Sequence, residues 1–600
     1  MVRDLFDYIR LCVMSGGSCN ALVSRGVKLY NSVMFPEAYG VFNRALRLCP
    51  GDANALLWRG KAGLMLGRFD RAVLDLRRVL GLSTDILITA DALLHLALAL
   101  YLRSFFIAER GRALEESFSL ACRAEASFKR INREYLRNMG GMLYDYGGTI
   151  TSFYYYQRLS ALVEILSMAE LYMTDVAQEI WRRAFSVKPG NARDPPTALF
   201  FIAESYIKLV KRDAAHAGDA DFAMRMLELD ARFLEIPLII LLKDLIHILK
   251  ARMLSEVHGK HDEALAELGN VSSVGVMKFL ASLYRGFIYE RIGQRAEACR
   301  AYSGILRVFR SPRAMQRMRI LNCDLTAQTH NAVSSGSGVS CSDLVSEGID
   351  LYNSMRVKES LDRFSNALAL CPNDARAMLW KGRAELMIGR LDQSMSTLRS
   401  TLGSGDGWVD ANAQLYLALA LYLHSLLSTD RDKALQEAFS LAKQAEAGFK
   451  RINDVYSMEL STLLQVLALY EAGNKDGAER IYNEAVESRQ NIHASPQFIA
   501  RAYLNLMNHD FENAIFTINH ALGELRKDLV SYNLDLPLLI FLKDFIHLSK
   551  ARMLMEGYAD SEALSELNRV SGVNAVKLVA RLYRDRIRRE REVRKGRPHG

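Results

Sequence analysis

Residues 56–70 read LLWRGKAGLMLGRFD, and residues 378–392 read MLWKGRAELMIGRLD; nine of the fifteen positions are identical. The pairing extends along the chain. FKRIN at 128–132 returns at 449–453, and IPLIILLKDLIHILKARMLSE at 236–256 returns as LPLLIFLKDFIHLSKARMLME at 536–556, with fourteen of twenty-one identical. The offset starts at 322, passes through 321 and falls to 300, so one half copies the other less a main deletion of about 20 residues. This predicts an N-terminal helix or cap at 1–18, a first half at 19–320, a second half at 341–580 and a basic helix or tail at 581–600. The stretch between the halves, LNCDLTAQTHNAVSSGSGVS at 321–340, lacks helical periodicity and reads as a flexible linker.

A finer period of 34 runs inside each half. Gly26, Ala38, Phe42, Ala45 and Pro50 set it. Small residues let two antiparallel helices approach, the aromatic wedges between them, and proline stops the second helix. The copy has Gly348, Phe364, Ala367 and Pro372, with Ser360 at the first alanine position. Gly60, Ala72 and Leu76 repeat it, as do Ala177, Trp181, Ala184 and Pro189; Gly286, Ala298 and Tyr302; Ala478, Tyr482 and Ala485; and Ala514, Ile518 and Ala521. This pattern resembles the tetratricopeptide repeat (TPR). The resemblance implies an all-α solenoid of helical hairpins whose concave face, lined by each first helix, binds polypeptides. Stacking is required because one hairpin cannot bury its own apolar faces. The register places hairpins at 19–52, 53–86, 87–132, 158–191, about 196–235, 245–278 and 279–312. In the second half it places them at 341–374, 375–408, about 409–453, 459–492, 495–528 and 544–577, with an incomplete 578–600. No stretch sustains period-two alternation, so almost no sheet is expected.

Composition agrees with a large packed core: 50% of residues are apolar and 24% charged, which excludes global disorder. The net charge is +9, but residues 581–600 hold nine Lys/Arg against three Asp/Glu. The basic character therefore belongs to a tail and not to a nucleic-acid-binding body. Eight cysteines without CxxC spacing read as reduced thiols of a cytoplasmic protein. The most apolar stretches, 93–102 and 236–242, fall short of the ~20 residues of a membrane span and read as buried helices. Asp4, Asp7 and Arg10 interrupt any signal-peptide core.

Four candidate sites follow. The concave positions implied by the resemblance are Ser24, Tyr30, Asn31, Trp58 and Lys61, with Ser346, Tyr352, Asn353, Trp380 and Arg383 in the second half. An aromatic, a cation, an amide and apolar groups along one groove suit an extended or helical peptide from one or two partner proteins. The alternative is that the aromatics pack inside the hairpin. Val23, Val27, Val345 and Ile349 stand where chaperone-binding members carry a two-carboxylate clamp, so that mode is not expected. A second candidate is the strip Lys243, His247 and Lys250, copied as Lys543, His547 and Lys550. It reads either as an anion-binding face, with Asp244 orienting His247, or as an ion-paired structural stripe. The third is the aromatic, glycine-rich insert 133–160, either a binding loop or a packing element. The last is the basic tail, with Arg584, Arg588, Arg591, Arg594 and Lys595. It suits an acidic protein, nucleic acid or lipid, or caps the array; the lack of interleaved aromatics disfavours nucleic acid. No HExxH, GxSxG, Walker or GxGxxG motif occurs, and the chain is read as a non-catalytic scaffold without cofactor or metal. Two alternatives stay open: an RNA- or nucleoprotein-associated factor using the basic ends, and an enzyme with a site assembled across repeats at 236–256 and 536–556. Oligomeric state is left open.

Overall fold

The computed structural model describes residues 19–138, 149–185, 197–213, 219–231, 234–272, 275–306, 311–323, 340–428, 430–488, 494–532 and 534–595. The expected cap at 1–18, most of the linker at 321–340 and residues 139–148 of the insert lie outside them. Among the described residues there are 28 α-helices and no strand. The chain divides into two units, 1–334 and 335–600.

The hairpins form where the periodicity places them. Cys19–Asn31 pairs with Phe35–Leu48, and Ala53–Met65 with Phe69–Leu82. The copies are Cys341–Asn353 with Val357–Leu370, and Ala375–Met387 with Leu391–Thr401. Aspartates start the second hairpins: Asp52 accepts from the Ala55 N–H at 2.6 Å and Asp374 from the Ala377 N–H at 2.7 Å. Each supplies an acceptor for a donor that has no partner inside the helix. Gly26 and Gly348 are required by contact: a Cβ at either would enter the ring of Phe42 or Phe364. That ring is the aromatic wedge of the motif, wholly buried in both halves.

The register shifts in two places. The helices Ile236–Arg252 and Leu536–Glu556 begin well before the expected 245 and 544. Pro237 and Pro537 sit in their first turns, where the missing N–H is harmless and the fixed φ suits a helix, so they open these helices and do not mark joints. Much of the insert is helical: Arg110–Asn138 and Thr149–Glu170 flank its centre, and Tyr156 stacks on Phe128 at 5.7 Å. Tyr155 is buried, its hydroxyl donating to Asp230 at 3.4 Å, so these aromatics pack inward. At the C-terminus the expected basic segment lies on the helix Asn574–Lys595, which buries Ile587.

One difference between the copies has a local cause. The spacing from Arg252 to the DEALAEL run at 262–268 exceeds by one the spacing from Arg552 to SEALSEL at 561–567. The first half absorbs that extra residue as a π-helical turn, Met253–Val257, where the second half continues as α-helix. Single-turn π bulges are the usual way a helix accommodates one inserted residue, and they concentrate at functional sites.

Within each unit, late helices return to the first hairpins. A Cβ on Gly67 would lie 2.7 Å from the Phe279 ring, and one on Gly389 3.3 Å from the Asn574 backbone. Both glycines have positive φ, +71° and +82°, so the turn and the close approach each demand glycine. Ile86–Ser104 is the one helix among the described residues long and apolar enough to cross a membrane. It lies in the core of its unit, with Leu93, Leu94, Leu96, Leu100 and Leu102 buried. The expectation of uniformly reduced cysteines is corrected: Cys299 and Cys323 form a disulfide, tying the helix Arg295–Leu306 to the segment after Pro312–Ile320.

Candidate functional site

The concave positions turn inward. Tyr30 packs on Phe35 and, edge-on at 5.3 Å, on Trp58; Lys61 Nζ lies 4.3 Å from the Trp58 centroid and pairs with Asp91 at 3.0 Å. In the copy, Tyr352 meets Trp380 at 5.4 Å, and Arg383 lies over Trp380 and Tyr416 while pairing with Asp535 at 2.6 Å. Tyr30, Lys61, Tyr352, Trp380 and Arg383 are all buried. Burial first, then the charge of Glu235 and Asp91, pushes the Tyr30 hydroxyl well above its ordinary value. The tyrosine–tryptophan–cation pattern is kept in both halves, but as internal packing with each cation neutralised, not as an open groove. Ser24 and Ser346 remain exposed, and Asn31 and Asn353 half-buried.

The polar strip is also consumed internally. His247 Nδ1 meets Glu267 at 2.7 Å, not Asp244, and Lys250 pairs with Asp221 at 2.7 Å. Asp244 instead accepts from the Ser272 N–H at 2.9 Å, and Asp544 from the Gly572 and Val573 N–H groups at 2.7 and 2.8 Å. His547 and Lys550 share Glu566 at 2.8 and 3.0 Å. Burial pushes that carboxyl up, but the two cationic partners outweigh it and hold it at about 2. Lys243 is buried; Lys543 is half-buried. Asp244 and Asp544 thus hold the turns at Ser272 and at Gly572–Val573, the His and Lys residues tie their helices to neighbouring ones, and the strip presents no open anion site. In the basic helix, Arg584 donates to the Leu567 carbonyl, Arg588 lies 3.7 Å from Asp585, and Arg591 pairs with Asp560 at 3.5 Å. The Arg594 and Lys595 side chains lie outside the described residues.

Two clefts occupy equivalent places in the two halves, and neither was foreseen. The first, of about 640 Å³, is lined by Phe105, Arg110, Glu170, Tyr172, Arg252, Ser255, Glu256, Tyr284, Phe287, Glu290, Arg291, Arg313 and Arg317, among others. Its frame is an ion network. Glu170 takes Arg110 on one oxygen and Arg252, at 2.8 Å, on the other. The Tyr206 hydroxyl donates to Glu170 and accepts from Arg252 at 2.8 Å, and Tyr101 donates to Tyr206 at 3.0 Å. Arg252 also holds Glu256 at 2.9 Å, and Arg317 holds Glu290. All three carboxylates are thereby engaged. Arg291 and Arg313 remain without a carboxylate partner among the described residues. Arg291 donates to the Ser255 carbonyl and hydroxyl at 3.4 and 3.3 Å, both supplied by the π turn. Arg313 donates to the Phe105 carbonyl at 3.4 Å and lies 5.0 Å from the Phe287 centroid. Burial is the main cause that lowers its pKa, and the like charges of Arg110 and Arg252 add to it against a pull from Tyr284.

The second cleft, of about 1160 Å³, repeats the frame with Arg431, Glu471, Arg552 and Glu556. Glu471 binds both Arg431 and Arg552, Tyr422 donates to it at 3.4 Å, and Arg552 Nε reaches Glu556 at 3.4 Å. The rim differs: Arg586 and Arg589 are joined by Glu590, which pairs with Arg586 at 2.8 Å, and Phe511, Met555 and Leu582 widen the apolar part. Each cleft carries one tyrosine that is 79% exposed on a left-handed turn, Tyr172 (φ 61°) in the first and Tyr558 (φ 61°) in the second. Aligning the halves sets Tyr172 opposite Gly473 (φ 72°) and Tyr558 opposite Gly259 (φ 69°). A bulky residue is thus held where its copy uses glycine, once in each half and from opposite turns. The signal was present in the sequence as Arg110/Arg431, Glu170/Glu471 and Arg252/Arg552, three retained charged pairs. It was hidden because they stand on three helices that only the fold brings together.

The tetratricopeptide repeat family matches at residues 35–86 and 345–407, one stretch in each half and at equivalent hairpins. No curated protein matches the sequence. Among solved structures, the APC/C hetero-tetramer Cut9–Hcn1 shares 13% identity, with coverage of 97% of this chain and 98% of that one and a TM-score of 0.29. A tetratricopeptide repeat protein from Parabacteroides merdae shares 12% identity over 51% of this chain and 98% of its own, with a TM-score of 0.29. Yeast Tom70 shares 14% identity over 96% of this chain and 97% of its own, with a TM-score of 0.24. On the repeat motifs, the paired helices and the two family matches, this chain is a tetratricopeptide-repeat protein.

Proposed function

We propose that the chain is a non-catalytic scaffold with one polypeptide-binding site in each half, located at the two arginine clefts and not on the concave first-helix positions. One observation carries the reading: an Arg–Glu–Arg frame around a buried carboxylate recurs in both clefts, while much of the rim that a partner would touch differs. Exposed tyrosines beside arginines are the composition of binding hot spots, because tyrosine buries large area at low entropy cost and arginine offers several donors from one planar group. A left-handed tyrosine costs ~1–2 kcal/mol relative to a relaxed backbone, which favours a role outside folding for Tyr172 and Tyr558. Two different rims on one chain support two different partners, joined by the linker at high effective concentration.

The test is partner recovery with the full-length chain, compared with Tyr172→Ala, Tyr558→Ala and Tyr30→Ala. The scaffold reading expects Tyr172→Ala and Tyr558→Ala to remove different specific proteins while the urea midpoint is kept. If both variants retain every partner, the clefts are not the binding sites. Recovery that depends on nucleic acid and on residues 581–600 would move function to the basic end.

A further inference from the structure

The first cleft has a charge that its own walls do not satisfy. It is lined by five arginines (Arg110, Arg252, Arg291, Arg313 and Arg317) and three glutamates (Glu170, Glu256 and Glu290). The glutamates are each closed by Arg110, Arg252 or Arg317, so the excess of two positive charges resides on Arg291 and Arg313. Both are positioned by neutral acceptors, Ser255 and the Phe105 carbonyl, and both line the same cleft as the exposed Tyr172. Three features that hold them are absent from the second half: the π turn that presents Ser255, the helix Pro312–Ile320 that carries Arg313, and arginine at position 291, which aligns with Glu590. That helix is fixed to the cleft by its Ser311 cap, whose hydroxyl donates to the Phe106 carbonyl at 3.0 Å.

We infer that the first-half cleft holds a dianionic group of a bound polypeptide, a phosphorylated side chain or two adjacent carboxylates, between Arg291 and Arg313, with Tyr172 packing on the segment that carries it. This rests on the reading of the chain as a polypeptide-binding scaffold. Planar guanidinium forks match both carboxylate and phosphoryl oxygens, and a phosphorylated residue carries about −1.5 to −2 charges at neutral pH, which balances the excess. The second cleft, where Glu590 offsets one of the rim arginines, takes a neutral or weakly acidic segment instead.

The experiment is fluorescence anisotropy on the full-length chain with four labelled peptides of one sequence. Their centre is serine, phosphoserine, Glu-Glu or Gln-Gln, and inorganic phosphate serves as competitor. The expected result is that the phosphoserine or the Glu-Glu peptide binds at least about tenfold more tightly than the neutral ones, a difference of about 1.4 kcal/mol. The tighter of the two names the source of the charge. Arg291→Gln/Arg313→Gln removes the preference, and Arg586→Gln/Arg589→Gln leaves it within about twofold. Arg291→Glu, a change at an exposed rim position, inverts the preference and keeps the test valid if the double variant does not fold. Equal affinity for all four peptides overturns the inference, as does an unchanged preference in a folded Arg291→Gln/Arg313→Gln variant. Displacement of the probe by inorganic phosphate at the peptide's own concentration assigns the site to a free anion and overturns the polypeptide source. In each failure, partners recovered in a Tyr172-dependent way would leave the scaffold reading standing.

Discussion

The two clefts share an Arg–Glu–Arg frame and differ over much of their rim. In the first, Glu170 ties Arg110 to Arg252; in the second, Glu471 ties Arg431 to Arg552. Around these frames, a glutamate faces an arginine, a glycine faces a tyrosine, and a π turn faces an α turn. The difference has an energetic reason. Removing one member of a buried ion network strands the remaining charges, at a cost of ~3–5 kcal/mol, whereas exposed rim substitutions fall within about 0.5 kcal/mol. The two halves are therefore freer to differ at the rim than in the frame.

The largest expected effect breaks the frame in each half. Glu170→Ala and Glu471→Ala should each destabilise their own unit by ~3–5 kcal/mol, read as urea midpoints with hydrogen exchange to assign the unit. If either costs less than about 1 kcal/mol, the shared frame is not what holds each unit together. Next come the closing glycines. Gly67→Ala and Gly389→Ala combine a left-handed backbone with a clash and should cost ~1–3 kcal/mol each. Gly67→Ala depends on whether the Phe279 ring can move, while Gly389→Ala presses on backbone, so a larger loss at Gly389 is expected despite its longer contact.

A third comparison uses pH. Asp230 and Asp528 occupy equivalent places, each accepting the first N–H of an earlier helix, at Ala198 and Ser495, both at 2.8 Å. Burial raises them from 3.8, Asp230 to about 6 and Asp528 to about 7. A carboxyl whose folded pKa is raised binds its proton more tightly in the folded state. Its contribution is complete below pH 3.8 and is lost as pH rises through the folded value, about 6 in the first unit and about 7 in the second. Asp528→Asn should remove a slope of at most about 1.4 kcal/mol per pH unit between pH 4 and 7, measured as urea midpoint against pH. The Asp230→Asn variant should lose its slope over a shorter window; identical windows would contradict the difference in burial environment. The smallest effect exchanges the rims. Tyr172→Gly relieves a left-handed residue but adds glycine's chain entropy, leaving a gain of up to about 1 kcal/mol. Gly473→Tyr should lose a similar amount, and thermal midpoints check both.

How much of this was legible differs by element. Hairpin pairing, the Gly26–Phe42 and Gly348–Phe364 contacts and the match of the two halves were written in short spacings. The hairpin register began at 245 and 544, although the apolar run from 236 already read as helix, because a 34-residue spacing does not show how far a helix opened by a first-turn proline extends toward its N-terminus. Tyr30, Trp58, Tyr352 and Trp380 were placed on the correct helices, but their exposure was not legible: whether a helix face meets solvent depends on elements as distant as Asp535, 152 residues beyond Arg383. The clefts were missed for the same reason, since Arg110, Glu170 and Arg252 share no local pattern.

By itself the sequence determined the helical period, the hairpin pairs and the repeat family, because each rests on interactions within about 34 residues and repeats often enough to be read. The tertiary structure alone decided which conserved-looking residues became core, which arginines were left without a carboxylate, and how one inserted residue became a π turn beside them. Those outcomes depend on the closure of each unit, where burial and long-range pairing set the cost of every charge, and no local spacing encodes that sum.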